Sequence, residues 1–238
     1  MKFLDGFLLA VPAANNDKYL ALAAEMAPIF REFGATRVVE CWEDFVPDGK
    51  VTDMRRAVKA TPDEVIVFSW IEYPNRELRD AASKKLQEHP RMHRENDPPP
   101  FDGMRMIWGG FAPLYDAADA AAPGYVEGIV LPVSTDRKAD YARIAQSMAV
   151  MFRDHGALRV IDAWGDDVPD GKITDYRMAV NAAPGETIVF SWIEWPSKTV
   201  RDGAWEKINA DARMPAPQDM VGDMQRMIYG GFAPILDA

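Results

Sequence analysis

The chain is one unit written twice. Arg37-Val38 through Trp42 and Val46-Pro47-Asp48-Gly49-Lys50 return as Arg159-Val160 through Trp164 and Val168-Pro169-Asp170-Gly171-Lys172, at an offset of 122 residues. Val67-Phe68-Ser69-Trp70-Ile71-Glu72 returns as Val189 to Glu194 at the same offset, and Gly109-Gly110-Phe111-Ala112-Pro113 returns as Gly230 to Pro234 at 121. Two copies are too few for a solenoid, which needs at least three repeats. Each copy is long enough to hold a core of its own. The repeat therefore divides the chain into a first unit at 1–115, a linker at 116–124 and a second unit at 125–238.

Each unit reads strand, helix, strand, strand, helix, strand. Phe3–Val11 and Tyr125–Val133 are apolar first strands interrupted by Gly6 and Gly128. Asn15 or Asn16, and Ser134 to Asp136, offer side-chain oxygens to start helices. Tyr19, Ala23, Met26 and Phe30 mark one helical face, echoed by Tyr141, Ala145, Met148 and Phe152. Pro28, where the second copy has Val150, predicts a kink. The segment Val51–Val58 fits a strand or a short helix equally well. Glu64–Glu72 is the clearest strand, and the last strand runs from Arg105 to Phe111. On the third strand Val67 and Ile71 face one way while Ile66, Phe68 and Trp70 face the other, so both faces ask for burial. Helices cover one; the second copy covers the other. The fold class expected is α+β: two ferredoxin-like βαββαβ units packed sheet to sheet as an intramolecular pseudo-dimeric α+β barrel. The fused chain is then a monomer with an internal pseudo-twofold.

Composition narrows the function classes. A net charge of −10 without a basic run argues against nucleic acid. No stretch approaches the roughly 18 unbroken apolar residues of a membrane span, and Asp5 interrupts the start before a signal-peptide core develops, which points to the cytoplasm. Cys41, with Ala163 opposite it in the repeat, is read as a small buried side chain. His89 and His93 have no imidazole counterparts in the second copy, so no metal site and no tightly bound cofactor are expected. Ser69 and Ser191 lack a histidine partner and read as core serines bonded to backbone.

The strings VVECW (38–42), VPDGKVTD (46–53), FSWIEYP (68–74) and MRMI…GGFAP (104–113) resemble the DUF1428 family of bacterial proteins of unknown function, and the resemblance runs almost end to end through both units. That family is similar to the dimeric α+β barrel superfamily, whose members pair single units into a barrel. The resemblance implies the barrel and brings no catalytic residues.

Polar and aromatic residues present in both copies remain as candidates. Trp42, Trp70, Trp164 and Trp192 are expected to line a pocket inside the barrel. Glu72 and Glu194, with Arg55, Arg105, Arg177 and Arg226, are expected at its mouth, suiting a small planar or acidic ligand. Glu72 or Glu194, if desolvated, is the candidate general base of an alternative reading, a cofactor-independent oxygenase or isomerase. A third reading makes the same residues the structural seam of a module without ligand. Drift between the copies predicts that the two sites are unequal.

Overall fold

The computed structural model describes residues 1–93, 98–118 and 122–238. Part of the expected linker, 119–121, lies outside the described residues. In the first unit β1 (Phe3–Pro12), α1 (Asn16–Glu32), β2 (Arg37–Phe45), α2 (Met54–Ala57), β3 (Glu64–Tyr73), α3 (Arg76–Glu88) and β4 (Ile107–Ala118) follow in order. The second unit repeats them as β5 (Tyr125–Ser134), α4 (Lys138–Asp154), β6 (Arg159–Asp167), α5 (Tyr176–Ala179), β7 (Glu186–Trp195), α6 (Lys198–Ala210) and β8 (Ile228–Asp237). All eight strands close one antiparallel barrel in the order β1-β3-β2-β8-β5-β7-β6-β4. Each unit supplies a ferredoxin-like 4-1-3-2 sheet, and the last strand of one unit pairs with the second strand of the other, β2 with β8 and β4 with β6.

The sequence expectations need local corrections. The ambiguous segment is the short helix α2, started by Asp53, whose carboxylate accepts from the Arg56 N–H; Asp175 does the same for α5. Arg105 and Arg226 do not begin the last strands but precede them, Arg105 in a 3-10 turn. The last strands run on past Pro113 and Pro234 to reach the other unit, so β4 extends to Ala118. Helix α1 carries Pro28, where the kink is expected, inside its 17 residues, the same length as α4. Asn15 does not cap it; the Asn15 amide donates instead to the Pro100 carbonyl at 2.8 Å.

The barrel is filled, not hollow. Along β3 and β7 the inward residues are Ile66, Phe68, Trp70 and Ile188, Phe190, Trp192, all buried in one cluster. Phe68 stacks on Phe190 with centroids 4.6 Å apart, and Trp70 meets Trp192 at 4.3 Å. Glycine makes this possible: a Cβ on Gly6 would lie 2.8 Å from the Phe190 ring, and one on Gly128 would lie 2.6 Å from Phe68. Each first strand thus gives up a side chain to admit a ring from the opposite unit. Met54 and Tyr176, from α2 and α5, are fully buried in the same cluster.

Gly6→Ala overpacks this contact, and a loss of about 1–3 kcal/mol is expected in denaturant unfolding. Gly203→Ala, in the open on α6, is expected to stabilise by up to about 1 kcal/mol.

Candidate functional site

The residues expected to form one pocket occupy three separate places. Trp70, Trp192, Glu72 and Glu194 come together on the pseudo-twofold. Trp42 and Trp164 point away from the barrel interior, toward α1 and α4, where they pack near Tyr19 and Tyr141 at 6.1 and 6.3 Å. Strand alternation explains this: Cys41 and Ala163 take the inward position beside them. Arg55, Arg105, Arg177 and Arg226 lie toward the other end of the strands. Arg105 grips Glu64 and the Lys59 carbonyl, Arg226 grips Glu186 and the Asn181 carbonyl, and Lys59 and Asn181 have positive φ. Arg55 pairs with Glu43, whereas Arg177 donates to the Glu186 carbonyl, and Gly165 stands where Glu43 would be. These four arginines brace turns.

The central cluster is an ion-pair seam. Arg37 and Glu72 are cross-strand neighbours within one unit, yet Arg37 donates to Glu194 of the other unit at 2.8 and 3.1 Å. Arg159 reciprocates with Glu72 at 2.5 and 2.9 Å. The Trp70 and Trp192 indoles donate to Glu72 and Glu194, and Asp237 and Asp116 take the remaining donors of Arg37 and Arg159. Glu72 and Glu194 are therefore fully engaged, and the tilted, contacting Trp70–Trp192 pair fills the space a ligand would need. Sequence reasoning missed Arg37 and Arg159 as partners, although both lie within the repeated strings opposite the two glutamates.

It also missed the carboxyls on the helix side. Glu40 and Asp162 are the one acidic position inside the otherwise apolar openings of β2 and β6, and the acid is kept in both copies. Each stands directly across from a serine, Ser69 or Ser191. Tyr19 donates to Glu40 at 2.7 Å, and Tyr141 and Ser191 donate to Asp162 at 2.7 Å each. Ser191 is thus bonded to a carboxyl, not to backbone as expected, while Ser69 faces Glu40 directly across the strands. Burial pushes the Glu40 carboxyl up to about 7, against these donors, and raises that of Asp162 for the same reason. A β-bulge falls beside each in the seam between units, between Glu40 and Cys41 on one side and between Pro113 and Tyr115 on the other. Bulges of this kind re-aim side chains and recur next to active sites. The bulged Ile235 packs with Tyr19, Trp42 and Phe101 beside Glu40, so the second unit completes the first unit's site.

Asp5 is also pushed up, to about 6, by burial, but Arg79 holds it at 2.7 Å and bridges it to Asp167 of the other unit. Glu40 and Asp162 differ: a phenol holds Glu40, a phenol and a serine hydroxyl hold Asp162, and among the described residues no guanidinium is bonded to either. Among the described residues no group of three or more His, Cys, Asp or Glu is arranged to hold a metal ion, and no helix is long and apolar enough to cross a membrane.

Arg159→Met removes the two-pronged partner of the buried Glu72 carboxylate, leaving Arg37 at 3.7 Å, and is expected to cost up to about 3–5 kcal/mol in chemical denaturation. Adding Glu72→Gln to it should recover part of that loss, which a double-mutant cycle measures directly.

Comparison with known proteins fits this architecture. The chain is 58% identical over 116 residues to the uncharacterised protein YbaA of Escherichia coli K12, which spans 49% of this chain and 99% of that protein, and equally to its Shigella flexneri counterpart. Solved structures share the fold at low identity. A candidate monooxygenase from Fusobacterium nucleatum aligns with TM-score 0.62 at 9% identity, covering 99% of this chain and 93% of that one. One from Lactobacillus acidophilus gives 0.59 at 10%, covering 100% and 95%, and an anthrone oxidase-like protein gives 0.56 at 13%, covering 100% and 92%. The family model for proteins of unknown function DUF1428 matches twice, over residues 2–103 and 124–224, and the chain belongs to that family as a tandem pair.

Proposed function

We propose that the chain binds a small planar molecule on the helix side of the sheet and moves a proton through Glu40, without a bound cofactor. The observation that carries this reading is the Glu40 carboxyl, held near neutrality by burial, bonded to the Tyr19 phenol and, among the described residues, to no cation. A general base works best when its pKa lies near the operating pH, and Glu72 and Glu194, clamped by arginines, are poor candidates for that role. Trp42, Tyr19 and Phe101 supply aromatic faces beside it, with Tyr19 and Phe101 edge to face at 5.9 Å. The substrate gives a proton from an activated C–H or O–H to the Glu40 carboxylate, leaving a delocalised anion against those rings. The names of the fold neighbours, candidate monooxygenases and an anthrone oxidase-like protein, suit chemistry that starts with such a deprotonation. Fold alone does not assign it. The crossed Arg–Glu seam is assigned a structural role.

Anthrone, whose methylene is acidic and whose rings are planar, tests the step without an oxidant. Under argon the chain should accelerate exchange of that methylene with D₂O, the rate rising with pH through about 7 as Glu40 loses its proton. Glu40→Gln should lower the exchange about 10²–10⁴-fold. An unchanged exchange rate in Glu40→Gln would remove Glu40 from the chemistry.

A further inference from the structure

We infer that the fused chain carries one ligand site, in the first unit, with Phe101 as the wall that selects planar aromatic molecules, and that the equivalent place in the second unit is sealed into the core. This rests on the reading of Glu40 as the proton acceptor. The two places keep Tyr19 and Tyr141, Ser69 and Ser191, and Trp42 and Trp164 in common. They differ where a ligand would enter.

In the first unit Glu40, Trp42 and Phe101 each retain contact with solvent. The Asn15 amide ties the Pro98-Pro99-Pro100 loop to the start of α1 through the Pro100 carbonyl. Arg105 anchors the far side of the same loop to Asp102 and Glu64. Phe101 is displayed between these two anchors, edge-on to Tyr19. A proline-stiffened loop fixed at both ends holds an aromatic ring in place at little further entropic cost.

In the second unit the acid is one methylene shorter. Asp162 is buried, and one oxygen, Oδ1, accepts from both Tyr141 and Ser191. Gly222 stands at the place of Phe101. It has φ +112, and a Cβ there would lie 2.9 Å from Leu131 and 3.3 Å from Val133, so the backbone itself lies down on the sheet. Val221 beside it is buried. The Lys138 ammonium sits 5.3 Å over the Trp164 ring, where the first unit has Asn16, and Trp164 is 7% exposed. The aromatic wall is gone, and Val221, Gly222 and Lys138 cover its place.

Titration with anthrone under argon, read by quenching of tryptophan fluorescence, tests the inference. One equivalent per chain is expected. Phe101→Ala should weaken binding about three- to tenfold, the worth of one aromatic pair, while Asp162→Asn leaves stoichiometry and affinity unchanged. Phe101→Leu, which keeps apolar volume and loses the aromatic face, decides the matter if the alanine variant does not fold, and Trp164→Phe stands in likewise for Asp162→Asn. Two equivalents per chain would overturn the single-site inference and leave the Glu40 chemistry standing. Binding lost in Asp162→Asn and kept in Phe101→Ala would overturn it in favour of the second unit. No binding by the unaltered chain would sink the proposed function itself.

Discussion

Two arginines that must reach across to the opposite unit hold this molecule's organisation together. Glu72 and Glu194 are almost fully buried, and a buried carboxylate without a partner costs several kcal/mol. Their two-pronged partners come from the other copy, Arg159 for Glu72 and Arg37 for Glu194, while each unit's own arginine stands off at 3.7 and 3.5 Å. The seam thus penalises any arrangement in which the two copies do not meet in this register. A buried ion pair is weak evidence for stability in itself, and here its value lies in specificity. The Phe68–Phe190 and Trp70–Trp192 contacts supply the apolar burial, and Gly6 and Gly128 let the rings approach.

A barrel closed in this way has no room at its centre. One end is shut by the Arg–Glu seam and the other by Met54 and Tyr176, so the site we propose falls on the outer face, between sheet and long helix. There the bulges in the β2–β8 and β4–β6 seams fall beside Glu40 and Asp162, and residues of both units surround each acid. The same closure that fixes the register therefore shapes the helix-side carboxyl sites. Fusion relaxes the symmetry requirement: one chain can keep Glu40 and Phe101 in the first unit while Asp162 and Gly222 close the second.

Much of the fold was legible because its signal is periodic and repeated. Apolar residues on both faces of Val67–Ile71 required a layer on each side, and the second copy was available to provide one. The length of β4 was not legible: Pro113 looks like a stop, yet the bulge after it lets the strand continue to Ala118 and close the barrel. The site was read less well. The structure brings Trp70, Trp192, Glu72 and Glu194 together, with two indoles in contact where the lining of a pocket was expected. Periodicity says which way a ring points and nothing about what fills the space before it. Trp42 and Trp164 follow the opposite parity from Val39 and Cys41, which was enough to put them outside. Glu40 and Asp162 left the clearest unused signal, an acid kept in both copies within an apolar strand and facing a serine on the next.

Carbon-13 NMR titration of the Glu40 side-chain carboxyl, assigned by its loss in Glu40→Gln, tests the central claim most directly. The account predicts a midpoint near 7, with Tyr19 still protonated. A midpoint at or below the ordinary glutamate value of about 4.3 would mean that the carboxyl is solvated or paired with a cation, and the helix-side base would not exist.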